Sequence, residues 1–190
     1  NDDAFNIIFA GNIGYAQGLD ILPKVATLLK KKKLDQKIRF NIVGDGRYRE
    51  TLENKISDKN LQSYFSFTGQ VAKEEIPSIL ERNHFGFVSL ANEDIFNRTL
   101  PAKVQSYMSY GIPLLASANG EIPWIINKAK CGFSAPAANA KELYEVLLKA
   151  NQATVEELEE MSENGDNYSA RHFDKDILVE KLIKLMKEGN

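Results

Sequence analysis

A single cysteine, Cys131, and two histidines, His84 and His172, are all that the 190-residue chain holds of those types. One thiol excludes an internal disulfide and a cysteine-built metal site, and the two histidines lack metal-ligand spacing. No Ser/His/Asp or Cys/His arrangement for nucleophilic catalysis is evident. Cys131 lies in an apolar segment and reads as a core residue. His84 heads an apolar strand and reads as a core or strand-edge histidine. No apolar run approaches the roughly 20 residues of a membrane span, and no secretory signal is visible. The first residue is Asn1, so the chain reads as a piece of a longer protein. Basic and acidic residues number 24 and 26, giving a net charge of -2, so no global positive field recruits nucleic acid. A reducing, cytoplasmic compartment is expected.

What is present is a regular alternation. Short apolar runs at Phe5–Ala10, Ile38–Val43, Phe65–Thr68, Phe85–Leu90 and Pro113–Ser117, with a shorter one at Gly132–Ser134, read as strands buried on both faces. Between them, Leu19–Lys33, Arg49–Ser57, Lys73–Glu81, Pro101–Tyr110 and Glu121–Ala129 carry helical spacing. This βαβα order predicts an α/β fold, a Rossmann-like doubly wound parallel sheet of about six strands. After residue 138 the strands stop, and Ala140–Ala150, Val155–Tyr168 and Asp174–Lys187 read as extra C-terminal helices. The last is apolar enough either to cover this core or to dock on a neighbour. We therefore expect one domain over 1–190, with its α/β core at 1–138 and helices at 139–190. The run Lys30-Lys31-Lys32-Lys33 reads as a helix end complementing its dipole, or as a contact with anionic lipid at the inner membrane face. The acidic cluster Glu156, Glu157, Glu159 and Glu160 reads as a solvated helix face.

In doubly wound sheets ligands bind beyond the carboxyl ends of the strands, so the loops there carry the functional signal. The first strand runs into Gly11-Asn12-Ile13-Gly14-Tyr15-Ala16-Gln17-Gly18, where glycines and exposed amides suit either a bare tight turn or an anion site. It is not a Walker A loop, since no Gly-Lys-Ser/Thr follows. The second strand ends in Gly44-Asp45-Gly46-Arg47, with Arg49 where a dinucleotide motif has its last glycine. Arg47 reads as a surface residue or a phosphate contact. After the third strand, Gly69, Gln70 and Val71 leave room for a flat group against the backbone. The segment 96–121 leads through Pro101 into a helix whose first turn holds Lys103. Amides of Leu100, Ala102 and Lys103 there suit an anion. A lysine in a first turn opposes the helix dipole and is easier to explain with an anionic ligand beside it. Tyr107, Tyr110 and Trp124 read as packing residues, Tyr107 being near this site.

The succession FAGNIGYAQGLD, FNIVGDG, FTGQV, LPAKVQSYMSYGIPLLAS and NGE resembles the C-terminal domain of GT-B glycosyltransferases of family 4. It is most similar to the branch that builds capsular polysaccharide, O-antigen and colanic acid. The resemblance spans roughly residues 5 to 150. It implies one half of a two-domain enzyme: this half binds a nucleotide-diphosphate sugar, a UDP-sugar being favoured, and a missing N-terminal domain binds the acceptor. It implies retaining, metal-independent transfer without a cofactor, with this half inactive alone and the full enzyme cytoplasmic or membrane-peripheral. By the resemblance the diphosphate falls to Gly11, Asn12, Gly14, Gln17, Arg47, Leu100, Ala102 and Lys103. The base, ribose or sugar falls near Gly69, Gln70, Val71, Arg98, Thr99, Ser106 and Tyr107. No catalytic residue is assigned. Many members carry Arg and Lys in the first glycine loop, where this chain has Asn12 and Gln17, and two glutamates where it has Arg98 and Ser106. Cationic duty is therefore expected to move to Lys103 and to Arg47 or Arg98. Two other readings stand beside this one: a UDP-sugar 2-epimerase-like enzyme, which needs carboxylates and histidines across its cleft, and a non-catalytic nucleotide-binding module.

Overall fold

A computed structural model describes residues 4–32 and 38–188. Lys33, the end of both the first predicted helix and the basic run, lies outside the described residues. Six strands form: β1 (Phe5–Ala10), β2 (Ile38–Val43), β3 (Phe65–Gly69), β4 (Phe85–Ser89), β5 (Leu114–Ser117) and β6 (Gly132–Ala135). All pair in parallel, in the order β3-β2-β1-β4-β5-β6. The helices are α1 (Ile21–Lys31), α2 (Arg49–Asp58), α3 (Ile76–Leu80), α4 (Ala102–Ser109), α5 (Glu121–Ala129), α6 (Ala140–Asn151), α7 (Val155–His172) and α8 (Lys175–Glu188).

Strand parity divides the core in two. Ile7 and Phe9 of β1 pack with Phe40 and Ile42 of β2 against α1 and α6, through Leu22, Val25, Leu29, Leu143 and Leu147. Ile8, one residue out of phase, packs with Val88 and Leu114 against α4 and α5, through Val104, Met108, Ile122 and Ile126. Both sheet faces are covered, as a parallel sheet requires. Each such buried side chain contributes about 1.5–3 kcal/mol of burial free energy.

The expected Rossmann-like class is therefore the observed one, with two local departures. Lys73–Glu81 is not one helix but a 3-10 turn at Lys73–Glu75 followed by α3. Pro77, in the first turn of α3, has no N–H to continue an α-helical ladder backwards. Pro101 stands outside α4 as its extended N-cap residue, not within the first turn.

The C-terminal helices divide their tasks. α6 buries Leu143, Tyr144, Leu147 and Ala150 in the core. α7 begins with a reciprocal cap, Thr154 accepting from the Glu157 amide at 3.2 Å and Glu157 accepting from the Thr154 amide at 2.8 Å. The four clustered glutamates are exposed. Buried Gly165 lets α7 approach Cys131, which is itself buried. α8 leans on α7 and leaves Leu178, Val179, Ile183 and Met186 exposed. Lys30 is not a free surface charge: its ammonium donates to Lys59 O and Asn60 O just past α2, complementing that helix end. No described helix is long and apolar enough to cross a membrane.

Candidate functional site

The strand order reverses between β1 and β4, and these two pair only at Ile7–Ile8 with Phe85–Gly86. Beyond that point they part and a crevice opens at their carboxyl ends, the usual ligand position in such sheets. The amide of Ala10, last in β1, is left without a β4 partner. It donates instead to the Tyr107 hydroxyl at 2.8 Å. A side chain on Gly86 would put its Cβ 2.5 Å from the Tyr107 ring, so the missing Cβ makes the slot for that ring. Tyr107 is buried, and burial pushes its hydroxyl well above the ordinary tyrosine range. It is a floor of the crevice, as its reading as a packing residue anticipates.

Over this floor lies a cleft in two adjoining halves. One, of about 400 Å³, is lined by Gln17, Leu80, Ala102, Lys103, Ser106 and Tyr107 among others. The other, of about 360 Å³, includes Val43, Gly44, Asp45, Gln70 and Val71. Ala10, Gly11, Asn12 and Ile76 line both. The halves hold one carboxylate, Asp45, and no histidine.

Lys103 reaches from the first turn of α4 to the turn after β1. Its ammonium donates to Gln17 Oε1 at 2.6 Å and stands 3.6 Å from the centre of the Phe9 ring. Among the described residues no carboxylate lies within 4.0 Å of it. Burial, unrelieved by an opposite charge, pushes the lysine down to about 7. A Cβ on Gly11 would sit 3.6 Å from this nitrogen, and Gly11 has φ +140°, a conformation that favours glycine. Val104 N–H donates to Pro101 O at 3.0 Å. Helix geometry leaves the amides of Ala102 and Lys103 without intrahelical acceptors. A cation, first-turn amides and a lining poor in carboxylate are the groups that suit an anion.

The turns themselves are locked together. A Cβ on Gly44 would lie 2.0 Å from Gly11 O, and one on Gly46 2.3 Å from Ile13 O. Gly11 N donates to Val43 O and Ile13 N to Asp45 O, at 2.9 and 2.8 Å. These second-turn glycines thus serve loop-on-loop packing. The 3-10 turn Tyr15–Gln17 is fixed on its other side, where Ala16 O accepts from Ala91 N and Gln17 O from the buried Ser89 hydroxyl.

Gly11, Asn12, Gln17, Ala102, Lys103, Ser106 and Tyr107 are brought together, with Gln70 and Val71 alongside. Gly14, Arg47, Gly69, Arg98, Thr99 and Leu100 do not line the cleft. Arg47 and Arg98 are exposed, so of the three expected cations only Lys103 is enclosed by this site. Thr99 bonds back to Ile95 O and Ser106 to Ala102 O, both at 3.1 Å. Gly69 O accepts from Gly44 N at 2.7 Å, a loop-packing role. Sequence reasoning missed Phe9 beneath the lysine and Ile76 and Leu80 on the opposite wall, which read as ordinary core residues. It also missed Asp20, which sits under a separate pocket of about 150 Å³ beside Tyr15 and Tyr48. There Lys55 donates to Asp20 at 2.9 Å and Tyr48 donates to it at 2.7 Å.

Comparison with known proteins agrees with this architecture. The family described as glycosyl transferases group 1 matches residues 1–168. The amylovoran biosynthesis glycosyltransferase AmsK of Erwinia amylovora is 26% identical over 147 residues, covering 77% of this chain and 36% of its own length. WcaL of Escherichia coli K12, assigned to colanic acid biosynthesis, is 21% identical over 182 residues, covering 95% and 44%. The chain therefore spans less than half the length of these relatives. The crystal structure of HepE from Anabaena in complex with UDP superposes with a TM-score of 0.80 at 15% identity, over 98% of this chain and 49% of that one. Matched along nearly its whole length, this chain belongs to the glycosyl transferases group 1 family.

Proposed function

We propose that this chain is the donor half of a retaining glycosyltransferase of bacterial surface polysaccharide synthesis, and that its cleft holds a nucleotide-diphosphate sugar, a UDP-sugar being favoured. The observation that carries this reading is the position of Lys103, enclosed where the turn after β1 faces the start of α4, with no carboxylate partner among the described residues. The UDP in HepE and the polysaccharide pathways of AmsK and WcaL agree with it.

The chemistry asks for such a site. When the bond from the anomeric carbon to the diphosphate breaks, negative charge grows on the leaving oxygen. Lys103 and the amides of Ala102 and Lys103 are oriented beforehand and stabilise that charge most in the transition state. The half lined by Gln70 and Val71 is left for the base or ribose, read mainly through backbone groups. A second half, on the rest of the full-length protein, would supply the acceptor site and exclude water on closure. In this reading residues 1–190 act as one donor-binding domain, and the full enzyme works in the cytoplasm, either free or at the inner membrane face.

Titration of the chain with UDP, GDP, ADP and CDP by calorimetry tests the donor reading. One nucleoside diphosphate binding at least about tenfold tighter than the rest is expected. Equal, weak binding of all four, indistinguishable from inorganic pyrophosphate, would contradict a built nucleotide site.

A further inference from the structure

Gln17 stands where the sequence suggests a direct diphosphate contact, yet its side-chain oxygen is already committed. Lys103 has only donors, so the group facing it at 2.6 Å must be the amide oxygen. The rest of Gln17 is held firmly: its carbonyl accepts from Ser89 at the end of β4, and its neighbour Ala16 is bonded to Ala91. The glutamine thus ties the start of α4 to both diverging strands.

We infer that Gln17 is a positioning residue for Lys103: its neutral amide oxygen fixes the ammonium without neutralising it, in a slot whose other walls, among them Phe9, Asn12, Ile76, Leu80 and Ser106, carry no charge, so the entering anion is the first opposite charge that lysine meets. This rests on the donor-site reading above and specifies how that site is regulated. A carboxylate in place of Gln17 would hold Lys103 equally well but pre-empt the ligand.

The surroundings support it. On β1 the facing group is the Phe9 ring, on the following turn Gly11, Asn12 and Gln17, and on α3 Ile76 and Leu80. On α4 itself Ala102 and Ser106 do not titrate, and Tyr107 is held neutral by burial. From the β2 turn, Asp45 lines only the adjoining half; it accepts from the Gly46 amide at 2.7 Å and stands 3.9 Å from Arg49. Glu75, on the turn before α3, accepts from the Ala72 amide at 2.9 Å. On the 3-10 segment before α4, Asp94 and Arg98 are exposed and line neither half. With burial pushing Lys103 down to about 7, anion binding draws a proton onto it. Affinity is then full below neutral pH and falls as pH rises.

The test uses the chain as it stands and UDP-glucose, a pyrophosphate diester with no proton of its own titrating between about pH 6 and 9. Wild type is expected to lose affinity by about tenfold per pH unit above pH 7, one proton being taken up per ligand bound. Gln17→Glu is expected to bind at least about tenfold more weakly at pH 7, with a flat profile. Gln17→Met, which keeps the bulk and removes the acceptor, is expected to bind more weakly but to retain the slope. A wild-type profile that is flat overturns the inference, as does a Gln17→Glu profile that tracks Gln17→Met. Binding with a flat profile leaves the donor reading standing, whereas no binding at any pH removes both. NMR titration of the Lys103 side chain without ligand gives an independent reading: its midpoint is expected near 7 in wild type and well above that in Gln17→Glu, where a facing carboxylate favours the charged form.

Discussion

The Tyr107 hydroxyl accepts the amide hydrogen of Ala10 where β1 leaves β4, and Lys103, four residues earlier on α4, reaches the turn that follows. Residues four apart share a helix face, so one face of α4 both closes the sheet's open seam and delivers the cation. Tyr107→Phe leaves the part-buried amide of Ala10 without its partner. It is expected to cost about 1–3 kcal/mol, read as a lowered urea midpoint. An unchanged midpoint would mean that water or a backbone shift replaces the hydroxyl.

Gly44 is the hinge of the two locked turns, with φ +122° and its missing Cβ directed at Gly11 O. Gly44→Ala is expected to destabilise by about 2 kcal/mol or more through strain and clash. It should also displace the Gly11 turn, visible as amide shifts at Gly11 and Ile13. Stability within about 0.5 kcal/mol of wild type would refute the contact.

Lys103 carries its charge at a cost in stability. Its charged form is disfavoured in the folded protein, so its folded pKa lies below the unfolded one. The associated stability is present above the unfolded pKa and lost as pH falls through about 7. Lys103→Met is therefore expected to raise Tm by about 2–4 °C, with a larger gain at pH 6 than at pH 9. A lower Tm for the variant at pH 6 would contradict this.

Asp20 behaves in the opposite sense. Burial raises its carboxyl pKa, but the hydrogen bonds from Lys55 and Tyr48 outweigh that and hold it below the ordinary value. The stabilisation is present above the unfolded pKa and disappears as pH falls through the folded one. Asp20→Asn is expected to cost about 0.5–1 kcal/mol at pH 7, since the pair is partly solvated. The gap from wild type should close in acid denaturation series below about pH 4. A gap independent of pH would exclude the ion pair as its source.

The strands were legible because parallel strands buried on both faces are continuous apolar runs: Phe5–Ala10 and Ile38–Val43 fall where the pattern put them. Lys103 was legible because a lysine opposing a helix dipole needs a reason. Phe9 and Ile76 were not, since an apolar residue carries no mark of which wall it forms. Gly44 and Gly46 read from sequence only as the first half of a dinucleotide motif, and their packing against Gly11 O and Ile13 O was not legible, because a glycine that admits another backbone looks the same as one that admits a phosphate. The role of Gln17 depends on a contact 86 positions away in the chain, which no local pattern encodes.

Calorimetric titration of UDP into wild type and Lys103→Met at pH 6.5, where the lysine carries its charge, tests the donor site most directly. Loss of one charge-assisted contact, on the order of 1.5–3 kcal/mol, is expected to weaken binding by about tenfold to a hundredfold in a variant that remains folded. Equal affinity for UDP in the two proteins would contradict the placement of the diphosphate at Lys103.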